Sequence, residues 1–339
     1  MKNKIIAAIL CILVALGLVN VGKSLMNRFF GDSPRPHVHV HSEVQTDVRV
    51  TKHLSVGDDV ILNKQFDVDQ GGTLEMAIGH ADVTIETSGE NTASVRVTLS
   101  GRDMERAREY FESLNFEATQ DGDRIIVKTE PTRRNWNWQS NGGASIDVDI
   151  VIPRRFNAEL KFEHGNLHVG DLVGNFELRN AHGDVNLGSI DGEVVDVKIS
   201  HGDINVGDIK ARRVSFTNEH GDLTTRRVSA EALEMRSAHG DISVDVQGGR
   251  AVDILSSHGE VNLGLGAPVG GSIKNSHGNI EIVASEKLAA NVLLEADQVH
   301  VGGSYSFEGS QSRTRMEGAL NGGGPTLRAR ASFGSISVN

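Results

Sequence analysis

Hydrophobic and polar positions alternate along most of the second half of this chain, and the alternation repeats with a fixed period. The stretch AHGDVNLGSIDGEVVDVKISHGDINVGDIK, from Ala181 to Lys210, contains His-Gly-Asp twice, nineteen residues apart. Aliphatic residues follow each copy at every second position. Side chains that alternate in this way lie on opposite faces of a β-strand. The pattern therefore predicts strands with one buried and one solvent-facing side.

A histidine followed by glycine marks each repeat, and successive histidines are spaced by 18 residues once and then by 19 residues five times. These histidines are His164, His182, His201, His220, His239, His258 and His277. Aliphatic columns follow three and five residues after them, with Thr225 as the exception. An apolar column follows fifteen residues after them from the second repeat on: Val197, Phe216, Met235, Ile254, Ile273 and Val292.

Columns in fixed register are typical of a solenoid, in which each rung buries its apolar side against its neighbours. We therefore predict an all-β fold, a single-chain β-solenoid (β-helix) with rungs of about 19 residues. Three segments keep the aliphatic pair but lose His-Gly, as terminal rungs should: GHADVTI (Gly79–Ile85), ADQVHV (Ala296–Val301) and FGSISV (Phe333–Val338). At ~4.8 Å per rung, eight to ten rungs would form a rod about 40 Å long.

His-Gly-Asp is expected at a corner of each rung, because glycine allows backbone conformations that other residues resist. Asp or Asn at the next position can bond to the local backbone. The histidines would face solvent, and stacking in register would place their imidazoles about 4.8 Å apart.

The part before the repeat predicts an N-terminal β region and cap over residues 44–163. One short helix is expected near residues 103–114, because Met104, Ala107, Phe111 and Leu114 recur near helical spacing. The repeat occupies residues 164–339, and we expect residues 44–339 to form one continuous domain.

Residues 1–29 are typical of a membrane-targeting segment. Lys2 and Lys4 precede an unbroken apolar run from Ile5 to Val19, and no small-x-small cleavage site follows it. We therefore expect an uncleaved signal anchor in the inner membrane of a bacterial envelope, with the β domain outside the cytoplasm. The alternative is a cleaved signal peptide and a secreted chain. Residues 30–43 form a His/Pro linker.

Composition narrows the classes of function. Aromatic residues make up 4 % and glycine contributes 38 of the 339 residues, which favours thin, repeated strands over a thick core. The net charge of −11 argues against nucleic acid as a partner, since phosphate binding needs a basic face. Cys11 is the single cysteine, so the rest of the chain has no disulfide or cysteine-based zinc site.

These features resemble the bacterial "putative-adhesin" β-strand-repeat family, a domain of unknown function with recurring Gly-Asp-Val/Ile strands. The resemblance covers Phe66 to Asn339 and is carried by GHADVTI, DVDIVIP, the Gly-Asp-Val/Ile ladder and the closing LNGGGPTLRARASFGSISV. It implies an exported, often membrane-anchored β-solenoid with no established catalytic residues. Histidine precedes glycine with a regularity that is unusual beside the family's pattern. This regularity suggests a histidine-based function that is particular to this chain and not shared by the family.

The histidines are the main candidates for chemistry. Neutral imidazole binds zinc, copper or nickel, so a row of imidazoles could bind a metal or carry protons. The candidate ladder ligands are His182, His201, His220, His239 and His258. A structural polar stack that hydrogen-bonds the Asp column is the favoured alternative, since metal sites need converging ligands. The HVHVH segment places His37, His39 and His41 on one strand face as a second candidate metal site, with a solvated linker as its alternative.

Catalytic interpretations are weaker. Ser200, His201 and Asp203 are contiguous on one strand, whereas a catalytic triad converges from different segments. The repeated carboxylates form a parallel column, whereas the carboxylates of a glycosidase face each other across a substrate. Two segments look loop-like enough to build a cleft, Arg133–Gly143 and Tyr305–Gly324.

The sequence therefore predicts a structural or interaction module of adhesin-like type, without catalysis and without a required cofactor. Its expected partner is a protein or polysaccharide of the cell envelope, together with the membrane through the N-terminal segment. A metal-binding envelope protein is the first alternative, and a glycan-active β-helix enzyme is the second.

Overall fold

A computed structural model describes residues 59–130, 143–285, 288–302 and 305–339 of the chain. Several predicted features lie outside the described residues: segment 1–29, the linker 30–43 with His37, His39 and His41, and most of the loop 133–143. In the described part, no helix is long and apolar enough to cross a membrane.

The described residues are mostly β-strand, and successive strands belong to one continuous sheet. The N-terminal elements are β1 (Asp59–Asp67), β2 (Thr73–His80), β3 (Asp82–Ser88), β4 (Thr92–Ser100), α1 (Met104–Ser113), β5 (Phe116–Asp121), β6 (Arg124–Thr129), β7 (Ser145–Pro153), β8 (Asn157–His164) and β9 (Leu167–Val169). The central elements are β10 (Leu172–Val173), β11 (Phe176–His182), β12 (Val185–Leu187), β13 (Ile190–Asp191), β14 (Val194–His201), β15 (Ile204–His220), β16 (Leu223–His239), β17 (Ile242–His258), β18 (Val261–Leu265), β19 (Gly270–His277) and β20 (Ile280–Ala284). The C-terminal elements are β21 (Ala290–Glu295), β22 (Gln298–Val301), β23 (Phe307–Gln311), β24 (Arg315–Leu320), β25 (Thr326–Phe333) and β26 (Ser335–Val338).

Each rung of the coil has three walls. The first wall ends at the ladder histidine, the second begins three residues later, and the third is a short strand such as β13. Equivalent residues of consecutive rungs pair in parallel, for example His201 with His220 and Ile204 with Leu223. The all-β, repeated-strand prediction is thereby confirmed.

The interior is filled by the predicted apolar columns. Val197, Phe216 and Met235 pair in register along the first wall and are fully buried. Because each rung contributes one layer to every column, its apolar face is covered by the rungs above and below.

The one helix of the described residues, α1, lies where the sequence predicts a short helix. Asp103 caps α1, its carboxylate accepting a hydrogen bond from the Arg106 backbone N–H. Ala107 and Tyr110 are the buried residues of the helix, so α1 packs through one side only.

The order of rungs differs from the order of the chain at both ends. β2 lies between β6 and β8, and β25 lies between β19 and β21. The insertion of β25 changes the apolar column predicted fifteen residues after each ladder histidine. Ile273 pairs with Ala329, which pairs with Leu294, so Leu294 and not Val292 continues the column.

Antiparallel strands close both ends. β1 pairs with β4 and β5 pairs with β6 at the N-terminal end. At the other end, β24 pairs with β21 and β23 pairs with β24. The segment Tyr305–Gly324, which the sequence suggested as a cleft-forming loop, is therefore mainly a β-hairpin, and its strands extend the sheet.

Candidate functional site

Eight imidazoles stack in one row along the coil, which we call the histidine ladder. Neighbouring ring centroids are 4.4 to 4.8 Å apart, and neighbouring ring planes differ by 1 to 6°. The members are His80, His164, His182, His201, His220, His239, His258 and His277. The predicted stack is thus present in the structure, and it is one rung longer than the His-Gly pattern indicates.

Phe333 continues the row beyond the last histidine. Its ring lies 4.9 Å from that of His277 and is tilted by 15°, and the residue is 65 % exposed. Because neighbouring rings are parallel and close, each interior imidazole covers the faces of its neighbours and turns an edge to solvent. The ladder therefore offers ring nitrogens as donors and acceptors, and few ring faces on which a ligand could stack.

A column of carboxylates and amides runs beside the ladder and fastens each rung to the next. Oδ1 of Asp184 accepts a hydrogen bond from the backbone N–H of Asp203 at 3.0 Å, and Asp203 accepts one from Asp222 at 2.8 Å. In the same way, the backbone N–H of Asp241 donates to Asp222 Oδ1, and that of Glu260 donates to Asp241 Oδ1. From His164 to His277 in the described residues, the expected bond from imidazole to Asp is not found, and Asp184, Asp203, Asp222 and Asp241 each accept a backbone N–H of the next rung.

A third column, two residues further on, carries amide and hydroxyl side chains. It is exposed or half-buried and runs in register through Asn186, Asn205, Thr224, Ser243 and Asn262, with His168 at the equivalent position of the preceding rung. The ladder, the carboxylate column and this amide-hydroxyl column together form a surface that we call the polar face.

The ladder begins with a cluster that sequence reasoning missed. His80, His164 and Glu163 each offer a ligand atom, and these atoms all lie within 4.8 Å of one another. Burial, together with the neighbouring His164, lowers the pKa of His80 against the opposing effect of Glu163. A signal for His80 was available: it lies three residues before Val83, the same offset that separates His182 from Val185.

The five predicted ladder ligands, His182, His201, His220, His239 and His258, lie in line within the stack. Within the described residues, no carboxylate joins two of them in a group of three donors within 4.8 Å. Metal binding by these five histidines stays a prediction.

The catalytic alternatives gain no support from the geometry. Asp203 binds the next rung at 2.8 Å in place of orienting His201, so the contiguous Ser-His-Asp does not form a relay.

An open groove of about 500 Å³ lies on the third wall, beside Ile190, Ile209 and Asp208. The hydrogen bond from Arg227, aided by Arg226, lowers the pKa of Asp208. Asp208 is thus a paired carboxylate with the opposite tendency to that of a general acid.

The family model described as "Toastrack DUF4097" matches residues 72–339 of this chain. Among curated proteins, none matches the sequence.

Several solved structures resemble the chain. A "putative adhesin" from Bacteroides fragilis is 11 % identical with a TM-score of 0.44, and the match covers 82 % of this chain and 96 % of that chain. A "putative adhesin" from Parabacteroides distasonis is 14 % identical with a TM-score of 0.39, again covering 82 % and 96 %. A "putative lipid binding protein" from the same species is 13 % identical with a TM-score of 0.43, covering 84 % and 97 %. At these identities, the names of the relatives do not indicate what this chain binds.

Proposed function

This chain belongs to the Toastrack DUF4097 family, and on that premise we propose that it is a non-catalytic binding module of the bacterial cell envelope. Its ligand is a polysaccharide that lies along the polar face. The observation that carries this proposal is the register of the three polar columns, which repeat once per rung along the coil.

The polar face suits a polymer with regularly repeated hydroxyl groups. Its imidazoles, carboxylates, amides and hydroxyls are hydrogen-bonding groups that pair readily with sugar hydroxyls. Single hydrogen bonds of this kind contribute only about 0.5–1.5 kcal/mol each. A polymer that engages successive rungs makes many such bonds at once, so weak contacts add up to stable binding.

Co-sedimentation with purified, insoluble peptidoglycan sacculi tests the proposal. The full chain should pellet with the sacculi, and the double variant Asn205→Ala/Thr224→Ala should bind about tenfold more weakly because two adjacent rungs lose a polar group. The matched control is Ser215→Ala/Thr217→Ala, which changes outward-facing positions of β15 on the first wall.

Two results would contradict the proposal. The first is equal binding by the parent and by the Asn205→Ala/Thr224→Ala variant. The second is absence of the parent from the pellet together with its capture by an envelope protein, which would identify a protein partner.

We also propose that residues 1–29 anchor the chain in the inner membrane and that the β domain lies outside the cytoplasm. The basic start at Lys2 and Lys4 and the apolar run that follows support this placement. Protease added to spheroplasts should cut the 30–43 linker and release a soluble β domain. A soluble β domain before protease treatment would indicate signal cleavage, and full protection would place the domain in the cytoplasm.

A further inference from the structure

Three side chains with metal-binding chemistry meet where the histidine ladder begins. His80 ends β2, and Glu163 and His164 end β8, the rung that pairs with β2. Their ligand atoms all lie within 4.8 Å of one another. Within the described residues, this is the single group of three such donors at that separation.

Glu163 distinguishes this end of the ladder from most of its interior. The residue before a ladder histidine is small in six other rungs: Gly79, Ala181, Ser200, Ala238, Ser257 and Ser276. Glu219 is the one other carboxylate at this position. It precedes His220, which lies between the rings of His201 and His239, and it does not join a three-donor group.

The distances are close to those that a metal ion requires. The rings of His80 and His164 are 4.4 Å apart, the shortest spacing in the ladder. A tetrahedral ion with bonds of about 2.1 Å holds its donors roughly 3.4 Å apart. The two rings are stacked with their planes 5° apart, so binding one ion requires both imidazoles to turn out of the stack until their nitrogens converge, together with rotation of the Glu163 side chain.

The donor types also fit. Two imidazoles and a carboxylate form a set that binds zinc and other divalent transition metals, with the remaining positions filled by water. The neutral imidazole is the form that binds metal.

We propose that His80, His164 and Glu163 bind one divalent transition-metal ion at the N-terminal end of the histidine ladder. The metal site lies at one end of the polar face, whereas the polysaccharide test changes Asn205 and Thr224 in interior rungs, so each proposal can fail without the other.

Zinc titration of the full chain against a chromophoric chelator tests this site. The chain should carry His37→Asn, His39→Asn and His41→Asn, so that the linker histidines do not compete for metal. We expect one zinc ion per chain, and we expect His80→Gln and Glu163→Gln each to weaken binding about tenfold or more. Cobalt(II) should show the visible absorption of a tetrahedral ion in this background and lose it in Glu163→Gln.

The ladder offers matched controls. Glu219→Gln and His220→Gln change the same two positions of the repeat in an interior rung, and both should leave zinc affinity unchanged. Thermal melting of each variant without metal shows whether it is folded. The proposal is overturned if zinc does not bind, if His80→Gln binds zinc as tightly as the parent, or if His220→Gln lowers the number of ions bound.

Discussion

At the scale of single residues, the corner of each rung depends on polar groups that point inward. Asn218 is 1 % exposed, and its amide donates hydrogen bonds of 2.9 Å to the carbonyls of Gly202 and Gly221. Ser237 is the equivalent residue of the next rung, and its buried hydroxyl has no hydrogen-bond partner. Both residues carry a buried oxygen without a partner, but Asn218 also holds the corner together through its NH2 group, whereas Ser237 makes no such bond.

These two residues should respond to substitution in opposite ways. Asn218→Ala should lower the free energy of unfolding by about 1–3 kcal/mol, because the half-buried carbonyls of Gly202 and Gly221 lose their donor. Ser237→Ala should change it little or raise it, because a buried unpaired hydroxyl is removed. Urea unfolding measures both, and equal destabilisation by the two substitutions would contradict this view of the corner.

The glycine of each corner is required for two independent reasons. Gly202 has a φ of +135°, and an added Cβ would lie 2.2 Å from the carbonyl oxygen of Gly183 in the preceding rung. Gly202→Ala should therefore cost about 3 kcal/mol or more.

Gly248 is the natural comparison, since an added Cβ would meet no atom within 4 Å there. Gly248→Ala should change stability by less than about 0.5 kcal/mol. Thermal unfolding of the two variants checks the pair, and a stable Gly202→Ala variant would show that the rungs can move apart.

At the scale of elements, ion pairs link neighbouring rungs on the third wall. Asp208 of β15 lies beside Arg227 of β16, with an Nη2–Oδ2 distance of 2.5 Å, and Arg226 Nε lies 2.7 Å from Oδ1. The hydrogen bond from Arg227 lowers the pKa of Asp208 below its ordinary value of 3.8.

This pair should contribute stability only above the acid range. Because the pKa of Asp208 is lower in the folded chain than in the unfolded chain, its contribution is present at neutral pH and disappears as the pH falls below 3.8 and through the folded pKa. Asp208→Asn should melt at a lower temperature than the parent at pH 7, and the difference should vanish in strong acid. A difference that persists there, or one matched by Asp253→Asn on the first wall, would show that this charge pair is not responsible.

Much of the element pattern can be predicted from the sequence, because each rung repeats the same local rule. The strands, the corner glycines and α1 follow from alternation, turn chemistry and helical spacing. The insertion of β25 between β19 and β21 could not be predicted in the same way. The position of β25 depends on which strand edge it covers. Because β25 lies far from β19 in the sequence, local residue patterns do not indicate this pairing.

The candidate site likewise has a part that local sequence patterns predict and a part that they do not. The spacing of His-Gly predicts the ladder from His164 to His277. His80 could have been found by aligning Val83 and Ile85 with the later aliphatic pairs. The approach of His80 to Glu163 requires the knowledge that β2 stacks on β8, although 84 positions of sequence separate His80 from His164.

At the scale of the whole molecule, antiparallel strands cover both ends of the repeating sheet and prevent further chains from pairing with it. The hairpin of β23 and β24 covers β21, and the hairpin's own Met316 and Leu320 are buried. An uncovered strand edge is a template for pairing with another chain.

Removal of this cap should therefore cause self-association. Replacing Phe307–Leu320 with a short Gly-Ser linker should shift the chain to oligomers in sedimentation velocity, whereas the surface substitution Ser310→Asp should not. A monomeric, folded deletion variant would show that the hairpin is not needed to block the edge.

The central claim is that one face of the coil, and not its other walls, binds the ligand. Carboxylates occur on the polar face and on the other walls, so one carboxylate-specific reagent can test which surface the ligand covers. Asp203 and Asp222 lie on the polar face, while Asp196 and Asp253 lie on the first wall and Asp191 lies beside the groove of the third wall.

The most direct measurement is carbodiimide labelling of these carboxylates with and without polysaccharide, read by mass spectrometry. Bound polysaccharide should protect Asp203 and Asp222 and leave Asp196, Asp253 and Asp191 as reactive as before. Protection of Asp191, or of Asp196 and Asp253, with Asp203 and Asp222 unchanged would contradict the account and move the binding surface to another wall.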